Sequence, residues 1–177
     1  LPGAPPGCRA PAARVYPARM VQPLRFAECT VGQRFAGPAR TLTLDEIKVF
    51  AREFDPQPFH LDAAAAAASP FGELVASGWH TACLTMRLLV EGGLPIAGGI
   101  IGTGVDELRW RRPVRPGDTL RVESEVLEII PSASRPGQGR MRVAARTFNQ
   151  DGAQVMGWVG TLVVRGCPLL AAPRRRP

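Results

Sequence analysis

Asp55 and His60 stand five positions apart in the stretch Phe54-Asp55-Pro56-Gln57-Pro58-Phe59-His60-Leu61-Asp62. A carboxylate and an imidazole are the two side chains most used to move protons, and two prolines stiffen the segment between them. Proline biases the preceding residue to extended geometry, so neither Asp55 nor Gln57 continues a helix. The stretch reads as a rigid loop that presents both groups together. A plain surface turn, with Asp55 capping backbone amides and His60 merely polar, uses the same residues. The surrounding elements decide between the two.

On the N-terminal side, Gln33–Leu42 reads as a strand weakened by Gly37 and Pro38. Thr43-Leu44-Asp45-Glu46 is a capping box. Ile47, Phe50, Ala51 and Phe54 follow at helical spacing and make one apolar stripe that ends at the loop. On the C-terminal side, Asp62 caps a short alanine-rich helix to Ala68, broken at Ser69-Pro70-Phe71-Gly72. A second long helix spans about Trp79 to Glu91. Its apolar residues, Cys83 among them, lie around nearly the whole circumference, so burial on most sides is expected. Gly92-Gly93 stops it.

Strands follow. Ile100–Val114 is long and extended, Arg115-Pro116-Gly117-Asp118 is a turn, and Leu120, Val122 and Val126 alternate with charged residues. Met141, Val143 and Ala145 alternate likewise. Asn149-Gln150-Asp151-Gly152 signals a hairpin, and Val155–Val164 is expected to close the sheet. Strand, helices, one apolar helix and a meander make an α+β arrangement, an antiparallel sheet wrapped around one long buried helix.

Composition narrows the function classes. The 177 residues suit one domain. The net charge of +7 is concentrated at the ends: Arg9, Arg14 and Arg19 near the start and Arg174, Arg175 and Arg176 in the tail. Without these six, 16 basic residues face 15 acidic ones, so the body carries about +1 and no nucleic-acid-binding face is expected. Apolar runs are too short for a membrane span, and a soluble, cytoplasmic protein is expected. Cys8, Cys29, Cys83 and Cys167 include no C-x-x-C pair, so neither zinc nor a redox motif is expected. Residues 1–22 read as a disordered or leader-like arm, with Met20 a candidate start, and 166–177 as a basic tail.

Three segments resemble the MaoC-like dehydratase and (R)-specific enoyl-CoA hydratase family: Val31-Gly32-Gln33-Arg34-Phe35 with Thr41-Leu42-Thr43, the Asp55–Asp62 stretch, and Pro113-Val114-Arg115-Pro116-Gly117-Asp118-Thr119-Leu120. The middle one is similar to the family's hydratase motif Asp-x-Asn-Pro-x-His-x-Asp, with Gln57 in place of the Asn. The resemblance implies a single hot-dog domain over 23–165. It further implies an Asp55/His60 pair that activates water for addition to a trans-2-enoyl thioester of CoA or acyl carrier protein. Gly78 matches the family's glycine whose amide, at the start of the buried helix, faces the thioester oxygen. No cofactor and no metal are implied, and the partner expected besides substrate is a second copy in a homodimer.

Other residues carry two readings each. Ser77 either lines the pocket or caps the helix. His80 either touches substrate or satisfies a hydrogen bond in the first helical turn. Gln57 contacts substrate or orients the pair. Arg109, Arg111, Arg112 and Arg115, around Trp110, are a solvated strand edge or, through Arg112 above all, an anchor for coenzyme A phosphates. Two further functions fit the same fold: a thioesterase, and a non-catalytic acyl-CoA-binding protein.

Overall fold

The computed structural model describes residues 23–165 and, before them, the two-residue strand β1 (Val15–Tyr16); the expected arm and tail otherwise lie outside the described residues. β2 (Arg34–Thr41) runs parallel to β1, pairing Val15 with Arg34 and Tyr16 with Phe35. The Gly37-Pro38 pair, a weakness in sequence terms, is where β2 bulges. A Cβ on Gly37 would lie 2.7 Å from both the Leu88 carbonyl oxygen and Val122 Cγ1. Glycine is therefore the residue that lets the strand backbone touch a helix end, and Pro38 sits where no ladder donor is needed.

The capping box opens α1 (Leu44–Phe54): Thr43 Oγ1 accepts from the Glu46 amide at 3.2 Å, and Glu46 Oε2 accepts from the Thr43 amide at 2.9 Å. Ile47 and Ala51 are buried, but Phe54, the last residue of the expected stripe, is 64% exposed because the helix has run past the core there. The Asp55–Asp62 stretch is not wholly a loop. Pro56 ends one helix, and Pro58, its φ already helical, starts a single turn, α2 (Pro58–Leu61). Asp62 Oδ1 then accepts from the Ala65 amide at 2.8 Å and caps α3 (Ala63–Ala67).

α4 (Gly78–Leu88) is capped by Ser77 and continues through a wide turn to Gly93, released by Gly92 at φ 145°. Thr81, Leu84, Thr85 and Leu88 are buried against the sheet, whereas Trp79, Cys83, Met86 and Val90 are exposed. Burial on most sides is thus corrected to burial of one face, and Cys83 is a surface thiol, not a core residue. Both faces are apolar, so periodicity alone gives no sign of which one meets the sheet.

The remaining strands are β3 (Ile101–Trp110), β4 (Thr119–Pro131), β5 (Gly139–Phe148) and β6 (Gln154–Val164). The sheet order is β1-β2-β4-β5-β6-β3, antiparallel everywhere except β1 to β2. β6 therefore lies inside the sheet, and β3, not the last strand, forms the edge. Leu120, Val122, Met141, Val143, Met156 and Leu162 are each at most 1% exposed and form the floor on which α4 rests.

Two buried threonines tie α4 to that floor. Thr85 Oγ1 donates to the Thr81 carbonyl at 2.8 Å and lies 2.7 Å from Thr147 Oγ1 on β5. Since the Thr85 proton is committed to Thr81, the Thr147 hydroxyl donates to Thr85. Thr85→Val strands that buried donor and lowers the unfolding free energy by about 1–3 kcal/mol in urea titrations. Thr147→Val strands nothing and costs less; equal costs would contradict the donor assignment.

Candidate active site

α1 delivers Asp55 as its C-cap, with the Asp55 amide still bonded to the Ala51 carbonyl at 3.0 Å. Both carboxylate oxygens are engaged. Gln57 Nε2 donates to Oδ1 at 2.8 Å, and Ser77 Oγ donates to Oδ2 at 2.6 Å. His60, on α2, is 4% exposed, and its Nδ1 lies 2.7 Å from the Val75 carbonyl. A carbonyl can only accept, so Nδ1 carries the proton, and neutral His60 turns a lone pair on Nε2 outward. That nitrogen lies 3.4 Å from Asp55 Oδ2.

Donors around a carboxylate favour its charged form. The Ser77 hydroxyl foremost, then the amide of Gln57, hold Asp55 below the usual carboxylate range, against partial burial, which pushes it up. Asp55 is thus an ionised acceptor with one oxygen shared between Ser77 and the space beside His60.

These groups open on a cavity of about 420 Å³, whose walls include Gly78, Trp79, Trp110 and Arg112. Gly78 is the first residue of α4, and among the described residues no backbone carbonyl takes its amide. The positive end of the helix dipole lies there too. A Cβ at position 78 would stand 2.7 Å from Trp110 Cε2, and the Trp110 indole nitrogen donates to the Gly78 carbonyl at 2.8 Å. Only glycine fits under the indole.

The structure brings Asp55, Gln57, His60, Gly78 and Arg112 to one cavity and joins Ser77 to them through Asp55. Of its two expected roles Ser77 takes the cap, since its Oγ also accepts from the Trp79 amide at 3.1 Å, while it is buried behind the cavity wall and not part of the lining. His80 is not brought there. Two residues along a helix turn the side chain through about 200°, so His80 faces away from the Gly78 side. It stacks on Phe50 (4.5 Å, 5°) and lines a separate cavity with Arg40, Glu46 and Cys83. Burial, with Arg40 nearby and against the pull of Glu46, lowers its pKa, and its Nδ1 is buried without a partner. The structure thus places His80 away from the cavity, and no hydrogen bond is made at its Nδ1.

Of the arginine run, Arg111 and Arg112 line the cavity, while Arg115 pairs with Glu73 and Arg109 bonds to the Leu108 carbonyl. Arg111 and Arg112 share the cavity because both lie past the end of β3 at Trp110, where strand alternation no longer applies and both amides turn to the Val155 carbonyl. The aromatic wall of Phe59, Phe71, Trp79 and Trp110 was not anticipated. Trp110 reaches Gly78 across 32 residues of sequence, and no local pattern carries that contact.

Comparison with known proteins agrees with this geometry. The family model described as MaoC like domain matches residues 26–147. The MaoC-like dehydratase from Rhodospirillum rubrum aligns in structure with a TM-score of 0.79 at 51% identity, over 82% of this chain and 99% of that one. The unliganded R-hydratase from Pseudomonas aeruginosa aligns with a TM-score of 0.68 at 36% identity, over 83% and 89%. A 3-hydroxybutyryl-CoA dehydratase from Methylorubrum extorquens is 40% identical over 81 residues, 46% of this chain and 50% of that protein, so the match spans half its length. The chain belongs to the MaoC-like domain family of hydratases and dehydratases and has its hot-dog fold.

Proposed function

We propose that this protein adds water to trans-2-enoyl thioesters of CoA or acyl carrier protein, and removes it in the reverse direction, through Asp55 and His60. The observation that carries this reading is the pair of acceptors, Asp55 Oδ2 and His60 Nε2, set 3.4 Å apart on the wall that also holds the Gly78 amide. A water between them donates one hydrogen to each. As its oxygen bonds to C3 of the enoyl group, His60 Nε2 takes a proton and the C2–C3 π pair moves toward the thioester oxygen. The Gly78 N–H and the α4 dipole stabilise the charge gathering there. The imidazolium returns its proton to C2, so one water is added and His60 is restored.

Asp55, kept ionised by Ser77 and Gln57, orients the water and stabilises the transient imidazolium. The Val75 carbonyl does the same from the other nitrogen. Gln57 thus takes the orienting role, and its added methylene still reaches Asp55 Oδ1. Arg111 and Arg112 offer the cavity mouth two forked donors suited to phosphate. The (R) configuration of the 3-hydroxy product is supported by likeness to the R-hydratase. A second copy is expected at the β3 edge. Among the described residues that edge strand has no partner on its outer side, and it exposes Ile101, Val105 and Trp110, beside the exposed Trp79, Met86 and Val90 of α4.

On a panel of trans-2-enoyl-CoA substrates, wild type removes the conjugated enoyl-thioester absorbance. Asp55→Asn and His60→Gln, verified as folded by circular dichroism, each lose about 10²–10⁴-fold in kcat. A folded wild type without turnover overturns the reading. CoA release from saturated thioesters would select a thioesterase, and acyl-CoA binding without turnover a non-catalytic binder.

Titration of the Asp55 carboxyl by ¹³C NMR falls below the ordinary range, and Ser77→Ala moves it up. Because folding lowers this pKa, the stability Asp55 contributes is complete above the unfolded carboxyl's value of about 3.9 and is lost as pH falls through the folded value. The acid limb of kcat/KM shifts to higher pH in Ser77→Ala. Size exclusion with light scattering gives at least twice the 19.0 kDa of the chain; a stable monomer at working concentration rules out the dimer.

A further inference from the structure

We propose that Trp110 is a positioning residue for the Asp55/His60 pair, acting through an unbroken line of hydrogen bonds that enters the site from the edge strand β3. The proposal rests on the hydratase reading for its catalytic meaning, but the line itself is a matter of geometry.

The Trp110 indole N–H donates to the Gly78 carbonyl at 2.8 Å. That carbonyl belongs to the peptide group whose N–H, on Trp79, donates to Ser77 Oγ at 3.1 Å. The Ser77 hydroxyl donates to Asp55 Oδ2 at 2.6 Å, and the same oxygen faces His60 Nε2 at 3.4 Å. Every donor points toward the carboxylate. A donor at the Gly78 carbonyl polarises the peptide and strengthens the Trp79 N–H, which sharpens the Ser77 hydroxyl in turn. Ser77 is 1% exposed, so water does not compete for the middle of the line. Trp110, at 45% exposed, is the most solvent-facing of the side chains that bond in the line.

The indole has a second hold on the same peptide. Its ring lies over Gly78 so closely that no Cβ fits. It also meets Trp79 edge to face, with centroids 5.3 Å apart. Ring and N–H together fix the first turn of α4 in both position and orientation. That turn carries the amide facing the thioester oxygen and the serine that holds Asp55. In the sequence alone, Trp110 does no more than interrupt a run of arginines.

Trp110→Phe keeps an aromatic ring over Gly78 and deletes the N–H. The Asp55 carboxyl, followed by ¹³C NMR, then titrates at higher pH. The acid limb of kcat/KM moves the same way, and kcat falls about three- to tenfold, the scale of one hydrogen bond, with a smaller change in KM. In a Ser77→Ala background the line is already cut, and adding Trp110→Phe moves the Asp55 titration no further. A Trp110→Phe protein that titrates like wild type overturns the proposal. So does a shift of equal size in both backgrounds, which would mean packing alone. In wild type the Trp110 indole proton resonance shifts along the Asp55 titration curve and ceases to do so in Asp55→Asn; an indole signal blind to that titration overturns the proposal even if Trp110→Phe does not fold. None of the NMR measurements needs turnover, so a failure of the hydratase reading is seen separately.

Discussion

The hydrogen bond from Ser77 to Asp55 holds the site together. It joins the C-cap of α1 to the N-cap of α4, two elements that the chain separates by two short helices and a turn. One hydroxyl does two things: it accepts the amide that starts α4 and donates to the carboxylate that ends α1. The rest of the fold keeps α4 from drifting away from that bond. Thr85 and Thr147 fasten its middle to β5, and Ser124 Oγ donates to the Gly93 carbonyl at its far end. Gly37 and Gly93 let the backbones of β2 and the helix end meet there. A helix fixed to the sheet at three levels presents its N-terminus in one place, which is the condition for a preorganised amide.

Charge contributes little to this scaffold. On the outer face of the sheet, Glu125 is shared by Arg34 at 3.1 Å and Arg146 at 3.2 Å, both arginines being largely exposed. Pairs of this kind add little to stability. The apolar floor under α4 and the buried hydroxyls do that work, while Arg111 and Arg112, not these paired arginines, line the cavity.

Much of the molecule was legible because its signals are local. The Thr43 capping box, the Asp62 cap, the Gly92 stop and the hairpin at Asn149–Gly152 each involve residues a few positions apart, and each forms as read. The approach of Asp55 to His60 was readable for the same reason. What failed depended on partners distant in sequence. The apolar residues of α4 fit burial on either face, so Cys83 was placed inside when it lies outside. The place of β3 at the sheet edge follows from its pairing with β6, some fifty residues later, and no alternation pattern encodes that choice. His80 looked like a site residue because it sits two positions from Gly78, yet helical rotation sends it to the Phe50 side.

The clearance over Gly78 has an evolutionary consequence. Positions 78 and 110 share one volume: an indole at 110 leaves no room for even a methyl at 78. Position 78 cannot gain a side chain while the indole stays in place, so a lineage carrying this tryptophan is held to glycine until the ring is lost first. A smaller side chain at 110 would lift the steric bar and enlarge the cavity in one step, at the expense of the hydrogen bond to the helix start. Change in the shape of this pocket therefore has a preferred order, in which the edge strand must yield before the helix does.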